Sequence, residues 1–190
     1  EMCIRDRAAP FQGRIEEAEE QLDGLLRDAV ALRMVADVPV GVFLSGGTDS
    51  SLVAALMQAQ SGQPVHSFSI GFTDSGHDEA PLARELATHL GCDHTELYVS
   101  GADALAVVPQ LPAMFDEPFA DASQVPTALV ARLARQGVTV ALSGDGGDEL
   151  FFGYTRYVRA LRNWQMLGRV PGPLRRWMGA RSQQQGEASR

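Results

Sequence analysis

A parallel β-sheet with helices on both faces is the fold class this sequence predicts. Three observations carry that expectation. Short apolar runs alternate with stretches of helical periodicity along the chain. Two of those runs, ending at Leu44 and Leu142, lead directly into glycine-rich polar turns that open further helices. A length of 190 residues, 45% of them apolar, suits one core of ordinary size.

Residues 1–14 show no periodicity and are expected to be irregular or non-native. From Ile15 to Ala36, Ile15, Ala18, Leu22, Leu25, Ala29, Leu32 and Val35 recur at helical spacing, and Asp37 and Pro39 end the helix. Val40 to Leu44 is a short apolar run bounded by turn residues, hence a buried strand, and Ser50 to Gln60 is a helix closed near Gly62. Phe68, Ile70 and Phe72 alternate with small residues within a second strand, Val65 to Phe72. Asp78 to Leu90 reads as a helix stopped by Gly91, His94 to Val99 as a third strand, and Ala102 to Leu111 as a helix interrupted near Pro109. After an irregular Phe115 to Gln124 come a helix from Pro126 to Arg135, Gly137 just past its end, and a fourth strand, Val138 to Leu142. A further helical stretch runs to Trp164, and Pro171, Pro173 and a Gln-rich end predict an irregular tail or truncated continuation over 168–190.

The charge balance is acidic, with 16 basic and 24 acidic residues and a net charge of −8. That argues against a broad nucleic-acid surface. Every basic residue is arginine, and the chain contains no lysine. Cys3 and Cys92 lie far apart, which suggests neither a zinc site nor a disulfide framework. His66, His77, His89 and His94 form no metal-like pattern, and the Arg169–Arg181 stretch reads as a solvated segment. The apolar runs are too short to span a membrane and the first residues do not resemble a signal peptide, so a cytoplasmic protein is expected. Glu1 in place of Met suggests a piece of a longer chain.

The turn after Leu44 reads Ser45-Gly46-Gly47-Thr48-Asp49-Ser50. Paired glycines permit backbone shapes and close approaches that side chains forbid. Free N–H groups at the following helix start, with the hydroxyls of Ser50 and Ser51, make a site suited to phosphate. A Walker A loop would require lysine, and neither GxGxxG in this turn nor GxSxG is present. The remaining pattern, Ser-Gly-Gly-x-Asp-Ser, resembles the pyrophosphate-binding loop of the N-type ATP pyrophosphatases. The turn after Leu142, Ser143-Gly144-Asp145-Gly146-Gly147-Asp148-Glu149, places three carboxylates among three glycines. With Asp116-Glu117-Pro118-Phe119-Ala120-Asp121 and Tyr154-Thr155-Arg156-Tyr157, it closely resembles the synthetase domain of glutamine-hydrolysing asparagine synthetases. The resemblance runs from about Ile15 to Trp164 and includes the SFSIGF strand.

That resemblance implies a Rossmann-like ATP pyrophosphatase fold, with a partial synthetase domain over residues 15–167. It implies that Leu44, Ser45, Gly46, Gly47, Asp49, Ser50, Ile70, Ser143 and Gly144 bind ATP, Leu44 and Ile70 contacting adenine largely through backbone. Asp49 and Asp148 would hold Mg2+ on the pyrophosphate. Asp145, where many relatives carry Glu, would serve acyl-adenylate formation and amine handling, while Asp116 and Asp121 would help position the amino-acid substrate. The implied reaction adenylates the aspartate side chain, releasing pyrophosphate, and transfers ammonia drawn from glutamine by an N-terminal glutaminase domain. Small-molecule substrates are therefore expected, with neither nucleic acid nor membrane as partner, and a homodimer stays open. The family's synthetase site also uses a lysine from further along, which this sequence lacks, so the fragment is expected to be inactive alone. A tRNA-modifying ATP pyrophosphatase and a cyclising, β-lactam synthetase-like ligase share parts of the pattern, as does a non-catalytic nucleotide-binding module.

Overall fold

The computed structural model describes residues 10–73, 78–115, 117, 121–168 and 172. Asp116, His77, Cys3, residues 1–9 and most of 169–190 lie outside the described residues. The chain divides into two compact units, Glu1–Asp145 and Gly146–Arg190.

The first unit runs α1 (Ile15–Met34), β1 (Val40–Phe43), α2 (Thr48–Gln60), β2 (His66–Phe72), α3 (Ala80–Leu90), β3 (Asp93–Val99) and α4 (Gly101–Val107). A 3-10 turn (Val108–Gln110), α5 (Leu111–Met114), α6 (Gln124–Ala134) and β4 (Val140–Leu142) complete it. The four strands form one parallel sheet in the order β3-β2-β1-β4. β1 sits inside, with Val42 opposite Ser67 on one side and Leu142 on the other.

Alternation along the strands explains why helices lie on both faces, since successive side chains point opposite ways. Val42 and Leu44 turn to one face and join Val30, Ala54, Leu56, Met57, Ala83 and Ala87 of α1, α2 and α3. Phe43 and Phe68 turn to the other and meet Leu133, Ala134 and Val138 at the end of α6. Ile70 and Phe72 continue that second face against Val99, Val107 and Leu129.

Polar side chains of β2 occupy the first face: Ser67 and Ser69 are buried and both bond His94. The ring's Nδ1 lies 2.9 Å from Ser67 Oγ and its Nε2 3.2 Å from Ser69 Oγ, so His94 is a packed, satisfied core residue. Burial holds its pKa below the ordinary imidazole value, against the opposing pull of Glu96. Burial likewise pushes the Cys92 thiol up, as expected of an unreactive cysteine. α3 ends as the sequence predicts, with Gly91 left-handed at φ 75°.

The helix α1 differs from expectation in its face. The residues that sink into the core are Val30, with Leu26 and Met34 beside it. Ile15, Leu25, Leu32 and Val35 of the expected stripe are 69%, 68%, 64% and 83% exposed. Both sets have helical spacing, and the chain uses the one four residues apart at 26, 30 and 34 to cover β1 and α2.

In the second unit, α7 (Gly147–Phe151) and α8 (Thr155–Gly168) are joined by a tight link. Gly146 (φ 93°) opens α7 and Phe152 (φ 62°) closes it, both left-handed. Tyr154 Oη donates to Glu149 Oε1 at 2.6 Å, which pushes the phenol up to about 12. The Arg156 guanidinium stacks 4.1 Å above the Tyr154 ring.

Candidate active site

Chain order and sheet order diverge at β1. The chain moves outward from β1 through β2 to β3, then returns to place β4 on the opposite side of β1. Parallel sheets bind ligands at such a switch point, in the crevice beyond the strands' carboxyl ends. The turn beginning at Leu44 and the turn beginning at Ser143 both leave the sheet there.

The first turn is a braced cradle. Helix α2 begins at Thr48, two residues before the expected start, because Gly47 caps it with extended backbone (φ −71°, ψ 159°). Asp49 is thereby in the first helical turn, half-buried, where the helix dipole favours a carboxylate. Gly46 is left-handed (φ +80°), and a Cβ there would stand 3.0 Å from Leu82 Cγ and 3.2 Å from Ala83 N at the start of α3. Only glycine accommodates both the conformation and the contact.

The serine hydroxyls point inward. Ser50 Oγ, almost fully buried, accepts from Ser45 N at 3.2 Å, sits 3.0 Å from Ser45 Oγ, and donates to Gly47 O at 3.2 Å. Ser51 Oγ donates to the same carbonyl at 2.6 Å, and Ser45 Oγ accepts from Gly47 N. These hydroxyls therefore hold the shape of the loop, and they engage the Ser45 and Gly47 N–H groups inside it.

The second turn packs directly on the first. At Gly144, a Cβ would fall 2.6 Å from Ser50 N and 2.8 Å from the Asp49 carbonyl carbon. Within this turn Ser143 Oγ donates to Asp145 Oδ2 at 3.0 Å, which fixes the exposed Asp145 carboxylate beside its own strand end. Leu44 is only 1% exposed and its N–H already donates to Phe68 O, which leaves its backbone carbonyl as the group that can face a ligand. Ile70 is half-buried two residues past Phe68, the partner of Phe43, and so stands level with the first turn.

Asp148 lies in the first turn of α7, in the second unit, where Gly153 N donates to its carbonyl at 3.0 Å. A Cβ at Gly153 would collide with Asp148 Oδ1, so the glycine makes room for that carboxylate. Asp121 is exposed, and its carboxylate accepts the Ser123 N–H at 2.9 Å, which holds its pKa below the usual range. That bond shapes the entrance to α6. Among the described residues no three His, Cys, Asp or Glu side chains converge as a metal cage. Asp49, in the first turn of α2, is the carboxylate beside this cradle that could serve a cation carried chiefly by phosphate oxygens and water, as Mg2+ is. No helix among the described residues is long and apolar enough to cross a membrane.

Sheet order and turns together define an ATP pyrophosphatase-type fold, also met in the ammonia-dependent NAD synthetase of Campylobacter jejuni. That structure superposes with a TM-score of 0.50 at 16% identity, over 71% of this chain and 60% of that one, a likeness of fold alone. Within that class, residues 21–190 match the asparagine synthase family model, and the chain belongs to the asparagine synthase family. A Mycobacterium tuberculosis relative is 40% identical over 176 residues, 92% of this chain and 27% of that protein. Glutamine-hydrolyzing asparagine synthetase 1 of Bacillus subtilis is 36% identical over 170 residues, 89% of this chain and 26% of its own length. Asparagine synthetase B of Escherichia coli is 31% identical, over 75% of this chain and 28% of that protein. The chain thus spans about a quarter of the length of the curated relatives it matches.

Proposed function

We propose that this chain is the nucleotide-binding and adenylating part of a glutamine-hydrolysing asparagine synthetase. The observation that carries the reading is the backbone-to-backbone docking of the two glycine-rich turns at the β1/β4 switch point. The amides at the start of α2 take the β- and γ-phosphates, while Ser143, Gly144 and the Leu44 carbonyl line the nucleoside side. The α-phosphorus then faces the acceptor, whose carboxylate oxygen attacks it and expels pyrophosphate. An amine nitrogen next attacks the acyl carbon and AMP leaves.

Preorganised donors aimed at the leaving pyrophosphate act where charge develops, and their internal bracing by Ser45, Ser50 and Ser51 spares reorganisation during reaction. Bound Mg2+ would supply further charge neutralisation on the phosphates, with Asp49 as the carboxylate of the first turn that would hold it. Asp145, whose carboxylate accepts from Ser143 Oγ, would handle the incoming amine. Aspartate as acceptor, glutamine as ammonia source and a glutaminase domain as partner are part of this proposal.

Calorimetric titration with ATP tests it. We expect binding that strengthens with Mg2+, and an Asp49→Asn variant that keeps the circular dichroism spectrum but loses most of the Mg2+-dependent part. Binding that is absent at millimolar ATP, or a metal dependence untouched by the substitution, would overturn the reading.

A further inference from the structure

Helix α3 is pressed against the first glycine-rich turn with little side-chain grip of its own. Its fully buried residues are all alanine: Ala80, Ala83 and Ala87. Methyl groups let a helix come close to its neighbours but raise no ridges that would stop it sliding. Its first turns are nonetheless the wall of the cradle, since a Cβ on Gly46 would meet Leu82 Cγ at 3.0 Å and Ala83 N at 3.2 Å. A small slide of α3 would therefore open or crush the turn at Gly46.

Polar ties from the edge strand stop that slide. Tyr98 of β3 stands opposite Gly71 of β2. The glycine makes room for it: a Cβ there would fall 2.6 Å from Tyr98 Cε1 and 2.8 Å from Asp78 Oδ1. The Tyr98 phenol bonds the half-buried Asp78 carboxylate, and desolvation together with that bond holds its pKa above the ordinary value. Asp78 Oδ1 in turn accepts the N–H of Ala80, the first residue of α3, at 3.2 Å. One turn further on, Arg84 Nε donates to Glu96 Oε2 at 2.9 Å and Arg84 Nη2 to Glu96 Oε1 at 2.5 Å. The same Nη2 lies 3.4 Å from Tyr98 Oη. These two ties bracket Leu82 and Ala83, the residues that wall Gly46.

We propose that Tyr98 and Asp78 are positioning residues for the phosphate cradle, holding the start of α3 at the depth that fits Gly46. They act through the helix and not on the ligand. The consequence for ATP rests on the nucleotide reading above, whereas the brace itself does not.

Tyr98→Phe removes one oxygen and keeps the ring over Gly71, so the fold should be retained. In the nucleotide-free chain, amide hydrogen exchange at Ser45 and Gly47, whose N–H groups are held inside the turn, should accelerate roughly three- to tenfold, the worth of one net hydrogen bond. Amides of α6, which packs on the other face of the sheet, should exchange as in the parent. The dissociation constant for ATP, measured by calorimetry, should rise by a similar factor. Asp78→Ser separates the tie from a plain helix cap, because serine accepts the Ala80 N–H but is too short to hold Tyr98. It should loosen the turn as Tyr98→Phe does, and the two substitutions together should do no more than either alone, since both break one bond.

Parent-like exchange at Ser45 and Gly47 in Tyr98→Phe, or acceleration shared equally by α6, would overturn the proposal. Parent-like exchange in Asp78→Ser would overturn it too, in favour of a local cap. Faster exchange in the turn with unchanged ATP affinity would support the brace and overturn the placing of phosphates on this turn.

Discussion

Adding one methyl group at Gly144 probes the contact on which the proposed site depends. The new Cβ would meet Ser50 N at 2.6 Å, the Asp49 carbonyl carbon at 2.8 Å and Asp49 Cβ at 2.9 Å, whereas ordinary contact begins near 3.4 Å. These are atoms of a helix start, not the ends of flexible side chains, so one turn must shift by close to an ångström. Overpacking of this kind costs roughly 1–3 kcal/mol. Borne by the nucleotide site, that is about a 5- to 150-fold rise in the dissociation constant for ATP. Borne by the fold, it is a drop of about 2–12 °C in Tm. Gly137→Ala is the matched control, because its Cβ meets Phe68 at an ordinary 3.5 Å. Titration calorimetry and thermal melts of the two variants decide the matter. If Gly144→Ala binds and melts like the parent, the two turns do not dock as the geometry says.

In a protein carrying the relatives' full length, Asp148→Ala should lower turnover by on the order of 10²–10³, and Asp145→Asn should slow pyrophosphate release more than it weakens ATP binding. Parent-like pyrophosphate release in both would make the second turn a plain solvated loop. The 190 residues alone, which contain no lysine, should bind nucleotide without forming asparagine from aspartate, ATP and ammonium; measurable product would refute the need for a fixed cation from elsewhere. Burial holds the His94 pKa below its ordinary value of about 6.5, so the unfolded chain takes up the proton first. Stability should be complete above about pH 6.5 and fall as the pH drops below it; His94→Asn should flatten that slope in melts, and an unchanged slope would clear His94 of the effect.

The strands and turns were legible because each apolar run is bounded by residues with a local conformational demand, as at Gly46 and Gly91. The asparagine synthase family was legible for the same reason: its motifs are contiguous. What escaped is tertiary. Two stripes on α1 satisfy helical periodicity, and no local rule says which of them the sheet will cover. The start of α2 fell two residues early because Gly47 serves as its cap. Ser50 reads as a ligand-facing hydroxyl, yet its neighbours Ser45 and Gly47 offer it three partners inside the loop. The contact of Gly144 with Asp49 and Ser50 depends on β4 returning beside β1, a pairing set by the whole sheet.

The return of β4 also fixes when the proposed site can exist. Val40 finds its partner at Val140, so the last rung of the sheet joins residues roughly a hundred positions apart. Closing so long a loop is the slow kind of event, so it should follow the shorter-range pairings of β1 with β2 and β2 with β3. During synthesis the first cradle emerges early but stays half a site until the chain has been made past Asp145. A single proteolytic cut anywhere between the two turns would turn one covalent partner into two, replacing a tethered encounter with a dilute one. In the proposed site, nucleotide bound across both turns would clamp that rung, so the opening of β4 is the step that ligand should slow most.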